Sequence, residues 1–273
     1  MTWWAVDVET TPERREAVGA WLVARTGQAI EERDDGTLVT FATDEKAAEE
    51  LVAALSREQN AHASRRPLAP VDWSVQWREG IAPRRFGRLT VTPSWIPAAA
   101  DGMQVVLDPE SAFGSGEHGS TRAALTLIER HLRSGDRMLD LGSGSGILAI
   151  AAARLGAARA TGIEVDDDAN DIARANAERN GVADVVEFLT GDAADLAPLL
   201  GPADLLASNI LRTVNVALLP AITAALRPGG LAIFSGMEVP EAPLFRPELH
   251  TAGFTAVDET TDAGWWAIAA RRG

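Results

Sequence analysis

Apolar positions recur along this chain with two different periods, and the pattern changes character part-way. In the first sixty residues, 3–8 alternate as a strand does, and 12–26 place Ala17, Val18, Trp21 and Leu22 on one helical face. Stretches 30–32 and 37–41 flank Asp34-Asp35-Gly36, which is hairpin-turn chemistry, and 45–55 returns to helical spacing. The order β-α-β-β-α predicts a small α+β, ferredoxin-like sheet with its helices on one side. Residues 61–100 then hold six arginines against two acids, and Pro67, Pro70, Pro83, Pro93 and Pro97 interrupt regular structure. The expected organisation is a domain over 1–60, a linker over 61–70, and a second domain over 71–273. Trp73, Trp77, Phe86 and Trp95 are read as packing at its entry.

From residue 120 the chain alternates helices with short apolar strands. Helices are expected at 120–132, 147–155, 167–180 and 214–226, and strands at 137–141, 160–164, 185–189, 204–208 and 231–235. Pro228-Gly229-Gly230 turns the chain into the last of these strands. Strands separated by helices predict a parallel sheet covered on both faces, hence a doubly wound, Rossmann-like α/β fold.

Composition narrows the chemistry. There is no cysteine, and the four histidines (His62, His118, His131, His250) form no H-x-x-x-H pair, so no metal site is expected. A net charge of −14 argues against nucleic acid as the main partner and suits a basic one. Residues 1–7 lack the basic region and apolar run of a signal peptide, and the longest apolar runs fall short of the roughly 20 residues of a membrane span. A cytoplasmic enzyme with no membrane partner is the expectation. Lys46 is the sole lysine among 25 basic residues, which leaves a lysine-modifying enzyme almost no target in itself.

The strongest motif is Met138-Leu139-Asp140-Leu141-Gly142-Ser143-Gly144-Ser145-Gly146, an apolar strand, an acid, and a glycine-rich turn opening a helix at Ile147. Glu164 ends the next strand, 22 residues beyond Gly142, where a carboxylate can accept both hydroxyls of a ribose. A dinucleotide fingerprint needs its third glycine one place later, at Ile147. The G-x-G-x-G spacing, with Asp140 beside it, repels phosphate and attracts the positive amino-acid end of S-adenosylmethionine. Asp192, after the third strand, lies where an adenine amino group needs an acceptor, or is a helix N-cap. Asn209, at the carboxyl edge of the fourth, can hold an incoming amine and aim its lone pair, or is a turn residue before the next helix. Upstream, the loop 108–121 carries Phe113 among small residues and suggests a lid over the cofactor. His118 within it reads as a hydrogen-bonding prop.

Together these motifs resemble the ribosomal protein L-11 methyltransferase family, over nearly the whole chain. The resemblance rests on Leu107-Asp108-Pro109 with Ala112-Phe113-Gly114-Ser115-Gly116-x-His118, on the 139–151 strand, turn and helix, and on Asn209-Ile210-Leu211. Pro228-Gly229-Gly230, Ser235-Gly236, Gly253-Phe254 and Trp266 also match. It implies a class I methyltransferase sheet, an N-terminal substrate-recognition domain and S-adenosylmethionine as cofactor. The implied reaction trimethylates lysine ε-amines and the N-terminal α-amine of ribosomal protein L-11, with no direct nucleic-acid partner. Implied cofactor contacts fall on Thr121, Gly142, Glu164 and Asn209. With the residue-level reading, the candidate cofactor set is Phe113, Thr121, Asp140, Gly142, Gly144, Gly146, Glu164, Asp192 and Asn209, with Asn209 also acting in catalysis and the chain expected to be a monomer. Departures are Glu164 for the usual aspartate, Ser115 and Ser120 for threonines, Met237-Glu238 for a more apolar pair, and a loosely matching N-terminal domain. Methylation of another protein, such as electron-transfer flavoprotein, a non-catalytic S-adenosylmethionine sensor, and a nicotinamide oxidoreductase are the alternatives.

Overall fold

The computed structural model describes residues 3–26, 30–33, 35–68, 82–96, 103–107 and 116–273. The chain divides into two compact units, Met1–Gly80 and Ile81–Gly273. In the first, β1 (Trp4–Glu9), α1 (Pro12–Thr26), β2 (Glu31–Glu32), β3 (Leu38–Ala42) and α2 (Glu45–Ala54) follow the expected order. Asp44 caps α2 by accepting from the Ala47 N–H (2.9 Å). Val6, Val8, Leu38 and Ala42 of the sheet pack on Val18 and Leu22 of α1 and on Ala48 and Leu51 of α2.

One expectation fails in this unit. The stretch read as a linker over 61–70 contains a strand, β4 (His62–Pro67), which pairs antiparallel with β1 from Trp4↔Pro67 to Glu9↔His62. The sheet order is β2-β3-β1-β4, so β4 completes a β-α-β-β-α-β unit. Its arginines and terminal proline, which looked like linker chemistry, are what an edge strand carries to block further pairing.

In the second unit β5 (Arg84–Phe86), β6 (Leu89–Thr92) and β7 (Met103–Val106) make a small sheet that the sequence reading did not anticipate. Then come α3 (Gly119–His131), β8 (Arg137–Leu141), α4 (Ile147–Arg154), β9 (Arg159–Glu164), α5 (Asp167–Arg179) and β10 (Val186–Thr190). These are followed by α6 (Ala193–Leu200), β11 (Ala203–Asn209), α7 (Arg212–Ala225), β12 (Leu226–Glu238), α8 (Ala242–Thr251), β13 (Phe254–Asp262) and β14 (Trp265–Arg272). The large sheet runs β10-β9-β8-β11-β12-β14-β13. Its central strands are buried on both faces, yet the period of two still sorts them. Met138, Leu205, Ile233 and Ala269 join the core under α3, α4 and α5, while Leu139, Leu206, Phe234 and Ile268 join the one with α7 and α8.

The sheet is mixed rather than wholly parallel. β14 is antiparallel to β12 and forms a hairpin with β13. The two hairpin residues, Ala263 (φ 45°) and Gly264 (φ 84°), both lie in the left-handed region that a tight two-residue turn requires. Strand order reverses between β8 and β11, and their carboxyl ends therefore flank the crevice where ligands bind in open α/β sheets. Among the described residues, no helix is long and apolar enough to cross a membrane.

Candidate functional site

β8 ends at Leu141 and the chain turns through three glycines with positive φ: Gly142 (69°), Gly144 (49°) and Gly146 (79°). Two of them also answer a packing demand. A Cβ at Gly142 would stand 2.8 Å from Ile210 Cγ2, and one at Gly146 would stand 2.6 Å from the Phe188 ring. The turn is pinned to the neighbouring strand, because the N–H groups of Gly142 and Ser143 donate to the Ile163 carbonyl (2.9 and 3.2 Å). Asn176 of α5 holds its far side, donating from Nδ2 to the Ser145 carbonyl (3.0 Å).

Glu164 reaches into this turn from the end of β9. Its Oε2 accepts from the Gly144 N–H (3.1 Å), and Oε1 accepts from Val165 and Asp166 (2.8 and 3.2 Å). Asp140 points toward α4 and is 1% exposed. Its Oδ2 accepts from the Ala149 N–H (3.2 Å), while Oδ1 is buried with no hydrogen-bond partner among the described residues. Burial, with a further push from the Glu164 charge, raises its pKa to about 7.

Asn209 closes the opposite wall. Its Nδ2 donates to Thr121 Oγ1 (3.2 Å) in the first turn of α3, and its Oδ1 is buried without a partner among the described residues. It is not the cap of the following helix, since that position is Leu211 and makes no side-chain bond. Asp192 does cap its helix, accepting from the Ala194 N–H (2.8 Å), and it is exposed. Its second oxygen is the atom left for a ligand. His118 is a prop. Its Nδ1 shares a 2.7 Å hydrogen bond with Ser120 Oγ, its ring lies 4.3 Å from that of Trp265, and burial followed by the Arg122 charge lowers its pKa. Phe113 lies outside the described residues, as does most of the loop expected to form a lid.

The structure thus joins Asp140, Gly142, Gly144, Gly146 and Glu164 on one side of the crevice with Thr121 and Asn209 on the other. It adds Ser143, whose buried Oγ also lacks a partner among the described residues. Nothing in the sequence singled that serine out from Ser145. Three orphaned acceptors (Asp140 Oδ1, Ser143 Oγ and Asn209 Oδ1) around a turn carrying two carboxylates are matched by a ligand rich in N–H donors and positive charge. A pyrophosphate would meet repulsion there. The residues present therefore fit S-adenosylmethionine, which brings an ammonium, a sulfonium and ribose hydroxyls.

A family model described as ribosomal protein L11 methyltransferase (PrmA) matches residues 5–273. A ribosomal protein L11 methyltransferase of Pelotomaculum thermopropionicum is 40% identical over 88% of this chain and 79% of its own length. One from Pseudomonas paraeruginosa is 35% identical, covering 100% of this chain and 99% of its own. The crystal structure of a ribosomal protein L11 methylase from Lactobacillus delbrueckii subsp. bulgaricus superposes with a TM-score of 0.63 at 29% identity. It is covered completely, by 71% of this chain.

Proposed function

The chain belongs to the ribosomal protein L11 methyltransferase family, and from that premise we propose that it methylates lysine ε-amines and the N-terminal α-amine of ribosomal protein L11. It is a methyltransferase, and its methyl donor is S-adenosylmethionine. The observation that carries the residue-level reading is the Asn209 amide, which Thr121 orients so that a buried acceptor oxygen faces no partner among the described residues.

When bound, S-adenosylmethionine supplies a methyl group on a positively charged sulfur. Asp140 and Ser143 receive the amino-acid end, with the Asp140 carboxylate offsetting the ammonium. Glu164 takes the ribose hydroxyls while keeping its hold on the turn, and the free oxygen of Asp192 takes the adenine amino group. Gly142, Gly144 and Gly146 keep side chains out of the way of the nucleoside. Asn209 Oδ1 accepts a hydrogen from the incoming amine and leaves the nitrogen lone pair to point along the line of transfer. A lysine has a pKa of about 10.4 and must lose a proton first; a cationic neighbour and partial desolvation favour the neutral amine, and water takes the proton. The first unit serves acceptor recognition, and the net charge of −14 favours encounter with a basic acceptor.

Labelled methyl transfer to purified ribosomal protein L11, to an electron-transfer flavoprotein and to no acceptor tests the assignment. Label on lysine and α-amine positions of L11 is the expected result. Label on the flavoprotein alone would overturn the acceptor, and donor binding without transfer would leave only a sensor. Asn209→Ala is expected to cut turnover far more than donor affinity.

A further inference from the structure

Helix α7 turns Leu218, Leu219, Ile222 and Ala225 into the core. The same stripe begins at Asn215, which is 0% exposed. Asparagine is a weak helix former, and a buried amide is costly unless fully hydrogen-bonded; an aliphatic residue would suit both the pattern and the burial. Local rules broken at a well-packed position point to a demand from elsewhere.

The partners of Asn215 show what that demand is. Its Oδ1 accepts from Ser208 Oγ (2.7 Å), and its Nδ2 donates to the carbonyls of Ile210 (2.9 Å) and Ser235 (3.1 Å). Ser208 and Ile210 are the residues on either side of Asn209. Ser235, near the end of β12, in turn donates from Oγ to the Ser120 carbonyl (2.8 Å), one residue before Thr121. The bond from Asn209 Nδ2 to Thr121 Oγ1 then closes a ring that runs from α7 through the ends of β11 and β12 to the first turn of α3. Ser208, Ser235, Ser120 and Thr121 are all buried, so no water competes for these bonds.

We infer that Asn215 is a positioning residue for methyl transfer: it fixes the chain on both sides of Asn209 and, through Ser235, the turn that bears Thr121, so that Asn209 Oδ1 is presented to the acceptor nitrogen. The inference rests on the reading of Asn209 given above and extends it to a residue that touches neither donor nor acceptor.

A double-mutant cycle tests it. Asn215→Leu keeps the branched shape of the side chain and the helix, at a somewhat larger volume, while removing all three bonds. Its kcat is expected to fall roughly tenfold or more through misalignment, with the dissociation constant for S-adenosylhomocysteine changed by less than about threefold. In an Asn209→Ala background the same substitution is expected to change kcat by less than about threefold, because the group it aims is already gone. A loss that persists in full in that background, or donor affinity falling in step with kcat, overturns the inference while leaving Asn209 in place. If Asn209→Ala alone leaves kcat unchanged, the reading of Asn209 fails and the inference falls with it. Should Asn215→Leu not fold, Asn215→Ser enters the same cycle and is judged on the same outcomes.

Discussion

Donor affinity should rise with pH across neutrality, and Asp140 should be the cause. The carboxyl is fully buried, its Oδ1 lacks a partner among the described residues, and burial raises its pKa to about 7. Without ligand it is therefore ionised to about one tenth at about pH 6 and about nine tenths at about pH 8. A ligand ammonium beside the orphaned oxygen favours the ionised form and holds it ionised in the complex. The observed association constant follows the ionised fraction of the free protein, so it should grow about tenfold, about 1.4 kcal/mol, over that interval. Calorimetric titration with S-adenosylhomocysteine in buffers of differing ionisation enthalpy reads both the affinity and the released protons. Asp140→Asn should weaken binding and flatten the profile. Methylthioadenosine, which lacks the amino-acid end, should bind with no such slope. Equal affinities at both ends of the interval, or a slope surviving in Asp140→Asn, would refute the reasoning. The linked stability effect has a fixed sign. A carboxyl whose folded pKa is raised contributes stability below its unfolded value near 4, and that contribution is lost as pH climbs through about 7. The ligand-free protein should lose stability over that range, and Asp140→Asn should lose less.

Further outcomes follow from the same geometry. Gly142→Ala meets a left-handed backbone and the Ile210 side chain together and should cost about 1–3 kcal/mol in urea unfolding, with turnover reduced; an unchanged midpoint would count against the packing described. Glu164→Asp shortens the arm that reaches the Gly144 N–H and should lose about 1 kcal/mol of stability while keeping donor affinity, whereas Glu164→Ala should lose both, as thermal melts and calorimetry would reveal. Asn180 grips the last residue of β7 with both ends of its amide, accepting from the Val106 N–H and donating to its carbonyl (2.8 and 2.6 Å). Asn180→Ala should therefore speed hydrogen exchange at the Val106 amide, and protection equal to that of the parent protein would contradict this.

The clustering of the strand-end residues was legible because its signal is local. Asp140, the glycines and Glu164 lie at the ends of adjacent parallel strands, so spacing along the chain translates directly into proximity. Asn209 was legible for the same reason, being the end of the strand on the other side of β8. Residues that act through long-range bonds gave no such signal. Asn215 breaks the apolar stripe of α7 and Asn180 follows the last residue of α5, and only the fold shows that each meets a strand-end carbonyl far away in sequence. β4 was hidden because Arg65, Arg66 and Pro67 satisfy the chemistry of an edge strand and of a linker equally well. β14 was not among the expected strands, because a stretch buried on both faces, Trp266 to Ala270, carries no period of two to mark it.

Ile210 is squeezed between two glycines, and the two contacts differ in kind. At position 142 the obstacle is the β-branch methyl of the isoleucine, Cγ2; at 236 it is the isoleucine backbone itself. Descendants of this chain can therefore relieve the contact at the first site, with a methyl gained at 142 being matched by one surrendered at 210, although the strain of the left-handed backbone there remains. No such bargain exists at the second, so position 236 should stay glycine through any drift that preserves the loop, and a paired library at 142 and 210 should recover active combinations that neither site yields alone.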